Sequence, residues 1–208
     1  MNTSARRASA AVTPLRKQLA DAPRRPTALD ALAAATKMFQ AGERVDMQGL
    51  ARTLEVDRTT LYRWVGSREE LLAEVLWALM DKTVARLRAK AGAGPVAAEI
   101  VTGAALATMA NVGMQKFLER EGDLALKLLT TKASEFQQRL IRLIAEVVDL
   151  DRRAGHLHSA VPAADLPYVL VRIMESYVYL GLITGDEPDA ERASRVIHAL
   201  LPVACKDL

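Results

Sequence analysis

The sequence predicts an all-α fold, and three observations carry that expectation. Half of the 208 residues are hydrophobic while aromatics are only 4%. The apolar content is mostly Ala, Leu and Val, and Ala and Leu are strong helix formers. Apolar residues recur at three- and four-residue spacing, and Thr, Asp, Ser, Gly and Pro mark starts and stops between the runs. No segment keeps the alternation of a strand, and no internal repeat is present.

Residues 1–26 are rich in Ala, Ser, Arg and Pro without hydrophobic periodicity, which predicts a disordered basic arm. Order is expected from Thr27, whose spacing to Asp30 is that of an N-cap with an acid three residues on. Leu29, Leu32, Thr36 and Phe39 then mark a first helix that Gly42 stops. Asp46 is placed to cap a short second helix carrying Leu50, Ala51 and Leu54. Asp57 is placed to cap a third, from Arg58 to about Val65, which Gly66 breaks. Ser67 and Glu70 have the capping-box spacing, and a long fourth helix follows with Leu71, Leu72, Val75, Leu76, Leu79 and Thr83 on one face. It runs out at Gly92-Ala-Gly94-Pro95, the expected domain boundary. Beyond it the pattern predicts helices at about 95–120, 123–131, 133–153, 163–184 and 188–204.

Charge and cysteine usage narrow the class. The net charge of +3 sits in the arm: residues 1–27 hold six basic side chains against Asp21, leaving 22 basic and 24 acidic residues elsewhere. Net charge alone therefore does not mark the folded part as a nucleic-acid binder. Cys205 is the only cysteine, which excludes an intrachain disulfide and reads as an inert thiol. The N-terminus lacks the apolar core of a secretory signal, and no stretch reaches the roughly 18 apolar residues of a membrane span. Arg in preference to Lys and abundant Ala suggest a GC-rich bacterial genome, so the expected compartment is the cytoplasm, with no membrane partner.

Three short helices before a long one, with a tight turn between the second and third, predict a helix-turn-helix head. Leu50, Leu54, Val56, Leu61 and Val65 would pack it and leave Arg58, Thr59, Tyr62 and Arg63 exposed. Phosphate oxygens accept from Arg, Tyr and Thr, and base edges in the major groove suit Arg or Thr near a helix N-terminus. On periodicity alone an ordinary solvated helix explains these residues equally well.

The order of residues adds more. Asp57-Arg-Thr-Thr-Leu-Tyr-Arg-Trp-Val-Gly-Ser-Arg-Glu-Glu-Leu-Leu72 resembles the recognition helix and following turn of the TetR family of regulators, with Leu61-Tyr62 at the family's Leu-Tyr pair. Phe39, Gly42 and Leu50-Ala51 extend the match upstream, so that it covers about Thr27 to Met80. The resemblance implies that Tyr62, Trp64 and Arg68 grip phosphates while Arg58, Thr59, Thr60 and Arg63 face the groove. It implies a palindromic double-stranded operator, a small-molecule effector and a homodimer. Two positions depart from the pattern: Glu55 stands where a glycine is common, and Asp46 where Thr is frequent. Both add negative charge near a phosphate backbone, which would shift part of the affinity to the basic arm.

On these grounds residues 27–92 are expected to be the DNA-binding domain and residues 93–208 a helical ligand-binding and dimerisation domain. In the latter, the helix at 163–184 carries two stripes. Leu166, Val169, Leu170, Ile173, Tyr177 and Leu180 form one; Tyr168, Arg172, Glu175, Tyr179 and Leu182 form the other. Arg172 and Glu175 lie one turn apart and can pair. The second stripe faces either a partner subunit or a ligand pocket, and both readings stay open. Met109, Asn111, Met114 and Phe117 form a similar mixed patch, ordinary core or an adaptable ligand wall. Glu119 to Thr131, Arg172 to Tyr177 and Gly185 to Asp189 also resemble the QsdR-type subfamily of these regulators, which implies a lactone-type or acyl effector.

Other signals are discounted. His156 and His158 lie in a polar linker without the acids or cysteines of a metal site, and no cofactor, metal set or Ser-His-Asp order stands out. The expected function is a repressor released from its operator by an effector, and not an enzyme. Two alternatives remain: a ligand-independent activator or architectural DNA binder, and a helical enzyme or adaptor that keeps the head as an interaction module. Leu166, Ile173, Leu180, Val196 and Leu200 are expected at the dimer interface, and the fourth helix is expected to act as a rigid lever between head and sensor.

Overall fold

A computed structural model of the chain describes residue 13 and residues 25–202, apart from 93, 132, 133 and 158. Most of the basic arm, His158 and Cys205 lie outside the described residues.

Among the described residues there are ten helices and no extended strand. The head comprises α1 (Ala28–Gln40), α2 (Met47–Thr53) and α3 (Arg58–Val65), followed by the long α4 (Arg68–Lys90). The body comprises α5 (Ala97–Met109), α6 (Val112–Thr130), α7 (Phe136–Arg153), α8 (Leu166–Val178), the single turn α9 (Leu180–Ile183) and α10 (Ala190–Leu200). No single described helix is long and apolar enough to cross a membrane.

The N-terminal caps form where the spacing placed them. Thr27 and Asp30 make a reciprocal capping box on α1, and Ser67 and Glu70 make one on α4. Asp46 accepts from the Gly49 N–H at 2.6 Å and Asp57 from the Thr60 N–H at 2.8 Å. Each cap satisfies a backbone donor that the helix itself leaves unpaired, worth about 1 kcal/mol. Glu55 takes a left-handed φ of 54° in the α2–α3 turn, the conformation for which a glycine is the usual residue.

Packing of the head differs from the simplest reading of α1. Ala31, Ala35 and Phe39 are its buried stripe, whereas Leu29 is 73% exposed and Leu32 half-buried. Two small alanines let α1 lie close to its neighbours, which larger side chains on that face would prevent. Leu50 and Leu61 are fully buried, with Leu54, Val56 and Val65 packed at the edge.

In the body, the segment expected as a helix at 95–120 divides earlier. Asn111 caps a new helix by accepting from the Met114 N–H at 2.9 Å, so α5 ends at Met109. The break expected near 121 appears as a kink inside α6, where Glu121 has φ −137° and ψ 41°. The expected helix at 163–184 is likewise shorter, starting at Leu166 and breaking at Tyr179. Buried Asp151 joins α7 to α5, its carboxylate accepting from the Val96 N–H at 2.9 Å and the Ala97 N–H at 2.7 Å. Two orphan N–H groups at the start of α5 are thereby satisfied by a residue 54 positions away.

Head and body meet most closely where α6 starts against the end of α1. A Cβ on Gly113 would lie 2.0 Å from the Phe39 carbonyl oxygen, so only glycine permits this approach. Phe39 and Phe117 pack edge to face beside it, with ring centroids 5.7 Å apart. Gly113→Ala should therefore force the two helices apart and destabilise the protein by about 1–3 kcal/mol. Urea unfolding monitored by circular dichroism measures this, and wild-type stability in the variant would contradict the contact.

Candidate nucleic-acid interface and effector cavity

The candidate DNA-contact surface of α3 begins with how the helix is held. Leu61 is fully buried and anchors it, and the opposite face presents Arg58, Thr59, Tyr62 and Arg63 to solvent. Among the described residues neither arginine is tied into an ion pair, so both guanidinium groups are free for phosphate or base contacts. Thr60 is placed differently. Its hydroxyl donates to Asp57 at 2.7 Å, completing the cap, and this bond leads the interactions that hold the Asp57 carboxyl below its usual range. Trp64 is half-buried and lines a surface groove with Leu29 and Leu32.

Arg68, expected among the phosphate contacts, is turned inward. Its Nη1 and Nη2 donate to the two carboxylate oxygens of Glu121 at 2.7 Å each, and its Nε donates to the Val45 carbonyl at 2.6 Å. Arg68 thus binds α4 to α6 and to the loop before α2. The Glu121 carboxyl is held below its usual range, chiefly by the Arg68 hydrogen bonds. No local pattern announces this pair, because its members are 53 residues apart.

A cavity of about 60 Å³ lies between α1, α4, α5, α6, α7 and α8. Leu76, Leu79, Met80 and Thr83 of α4 form one wall, and Met174, Glu175 and Val178 of α8 with Tyr179 form the facing one. Of the expected ligand residues, the structure brings Met114, Glu175 and Tyr179 to this cavity. Phe117 is buried beneath it against Phe39, and Met109 lines an outer groove of about 430 Å³. The groove and cavity share Thr108, Met114 and Val178, so one opens beside the other. Tyr168 is 52% exposed and points away, with the Arg172 guanidinium 5.3 Å from its ring. The second stripe of α8 is therefore split, with Glu175 and Tyr179 on the cavity and Tyr168 on the outside. Asn111 of the mixed patch also reaches the lining, and Phe136 and Leu140 join it from α7, which spacing alone did not collect.

Glu175 is the electrostatic centre of the cavity. It is 7% exposed, accepts from the Gln137 side-chain amide at 3.2 Å and lies 3.0 Å from Arg172. Burial pushes its carboxyl up to about 7, against the opposing pull of Arg172. Burial also raises the Tyr179 phenol, reinforced by the neighbouring Glu175 charge, so it stays a neutral hydroxyl. The unfolded chain releases the Glu175 proton near the usual 4.5, whereas the folded chain holds it to about 7. Its contribution to stability is therefore greatest below pH 4.5 and falls as pH rises through that window, by on the order of 3 kcal/mol. Glu175→Gln should remove this part of the pH dependence, so that urea unfolding shows the variant gaining on wild type between pH 5 and pH 8. A constant difference across that range would contradict the assignment.

Comparison with known proteins agrees with this geometry. The family model described as "Tetracyclin repressor-like, C-terminal domain" matches residues 91–202. Among solved structures, the transcriptional repressor QsdR of R. erythropolis, from the TetR family, is 28% identical with a TM-score of 0.73; the match covers 87% of this chain and 97% of that one. The fatty acid degradation regulator FadR of Bacillus halodurans shares the fold at 15% identity, with a TM-score of 0.54 and coverage of 85% and 95%. No curated protein matches by sequence. With a helix-turn-helix head on a body that carries the family's C-terminal domain, the chain belongs to the TetR family of transcriptional regulators.

Proposed function

We propose that the protein is a cytoplasmic repressor that leaves a palindromic operator when a small molecule enters the body. The observation that carries this reading is the double use of α4. Its first turn follows directly on the recognition helix through Gly66 and Ser67, and its middle forms a wall of the cavity. A ligand that displaces Leu76 or Met80 therefore acts on the same rigid element that orients α3. Residues 27–92 are the DNA-binding unit in this reading, with α4 reaching into the sensing unit of residues 93–208.

Arg58, Thr59, Tyr62 and Arg63 form the DNA contact set, with Trp64 beside them. Thr60 serves through the cap and Arg68 through the junction with Glu121. The cavity is suited to binding rather than catalysis. Thr83 and Thr108 spend their hydroxyls on the Leu79 and Ala104 carbonyls at 2.8 Å, and the described lining offers neither His nor Cys to activate them.

Dimerisation is proposed through the outer faces of α8 and α10. Leu166 and Leu170 are fully buried within their own chain and take no part. Tyr168, Ile173, Tyr177, Leu180 and Val196 remain exposed or half-buried as an apolar face, and a two-fold pairing is the common way to cover one. Light scattering at micromolar concentration should give twice the chain mass; a monomer would remove this part of the reading.

Selection of bound DNA from a random pool at controlled salt tests the function directly and should return an inverted repeat. On the selected site Arg63→Ala should weaken binding and lower the salt slope by about one, as for one lost phosphate contact. Tyr62→Phe should weaken binding with a smaller change in slope. Unchanged affinity in both folded variants, or no selected sequence at all, would overturn the proposal.

A further inference from the structure

The charges around the cavity define what can occupy it. Glu175 is the only charged residue among the described residues that line it, and no Lys, Arg or His does. Arg172 lies against Glu175 at 3.0 Å, so the pair is already balanced. One Glu175 oxygen accepts from Gln137 and the other faces Arg172, which leaves further lone pairs of the carboxylate unfilled. The outer groove repeats the bias. Its charged lining residues are Glu119 and Glu187, while Met109, Leu118, Leu182 and Pro188 supply apolar walls. Lys116 beside it is already bound to Glu119 at 2.9 Å.

We propose that the cavity and its groove take a neutral amphiphile whose inner end offers an N–H or O–H donor to Glu175 and whose apolar tail lies along the groove toward Leu182. This rests on reading the cavity as the effector site. A carboxylate or phosphate would meet Glu175 without a counter-ion, and an ammonium would leave a net buried charge beside Arg172; either costs far more than a neutral donor. A neutral donor instead fills a vacant lone pair while the ion pair stays balanced. The groove, at about 430 Å³, has the size of a small-molecule site, whereas the inner cavity of about 60 Å³ admits only a small polar end.

Four probes sharing an eight-carbon chain separate the possibilities: octanamide, methyl octanoate, octanoate and octylammonium. Calorimetric titration of the full chain at pH 8.5 should rank octanamide about tenfold or more above each of the others. In Glu175→Gln, which brings its own N–H donor, methyl octanoate and octanoate should approach octanamide in affinity. Octanoate or the ester equal to or tighter than the amide in wild type would overturn the proposed chemistry, and so would a Glu175→Gln protein that keeps the wild-type ranking. The site itself is tested separately by filling the cavity with Ala107→Phe or Thr108→Phe, two variants in case one fails to fold. A folded filled variant should lose all four probes. If it binds octanamide as wild type does, the cavity reading fails, whatever the ranking; if wild type binds none of the four, the proposal fails.

Discussion

One guanidinium holds the two halves of this molecule in register. Arg68 is the first residue of α4, immediately after the Ser67 cap, and it spends donors on both Glu121 oxygens and on the Val45 carbonyl. Glu121 lies where α6 departs from helical geometry, and that departure accompanies the turn of its carboxylate toward α4. Both side chains are about one-fifth exposed, so water replaces the lost partner poorly if either is removed. Breaking such a pair leaves an uncompensated charge, which costs more than the pair contributes relative to a well-packed apolar substitute. Its value is therefore positional. The nearby Lys127–Glu69 and Arg139–Glu74 pairs involve more exposed side chains and add little by themselves. They do follow the same line, from the body to the first two turns of α4.

That line explains why a chain with so few aromatics places four of them around α4 and the α1–α6 contact. Phe39 and Phe117 fill the junction beside Gly113. Trp77 of α4 meets Phe136 of α7 edge to face at 6.2 Å, and Arg139 covers the Trp77 ring at 4.3 Å. Phe39 and Phe136 also line the cavity. The large rigid side chains thus stand between the cavity and the head, in an interior packed too densely to absorb large shifts of one without its neighbours.

Much of the fold was legible because helices announce themselves locally. Thr27, Asp46, Asp57 and Ser67 each cap the helix that their spacing indicated, and Gly66 ends the recognition helix. Asn111 shows the limit. It was read as part of a mixed patch within one helix, since nothing in its neighbours distinguishes a cap from a helical position. The buried face of α1 was misjudged for a related reason: Ala31 and Ala35 pass as helix formers on either face, and only the closeness of other helices selects them for the core. At the candidate site the order of residues in α3 brought Arg58, Thr59, Tyr62 and Arg63 to one surface, because a single helix needs no tertiary information. Arg68 and the cavity required it. Glu121 comes from a distant segment, and helical spacing groups Tyr168 with Glu175 and Tyr179 without showing that the neighbouring helices cover only the latter two.

The kink at Glu121 also divides α6 into parts with different loyalties. The first part holds Gly113 against the Phe39 carbonyl, and Arg120 donates to the Gly42 carbonyl at 2.9 Å, so this stretch is fixed to the head. The second part buries Ala125, Leu128 and Leu129 in the body core. Met114 and Asn111 on the first part and Leu129 on the second all face the cavity. In the proposed effector reading, a ligand whose inner end exceeds the inner cavity of about 60 Å³ would push some wall outward. The α1–α6 contact at Gly113 has no slack, so the first part of α6 yields only by carrying α1 with it. The second part and α7 belong to the core, where movement disrupts many apolar contacts at once. On the proposed effector reading, we expect the least costly displacement to be rotation of the head with the first part of α6 about the segment at Glu121, which already lacks helical geometry. Such a rotation would change the tilt of α3 relative to the body and, in the proposed two-fold dimer, the separation of the two α3 helices, the one dimension a DNA operator fixes.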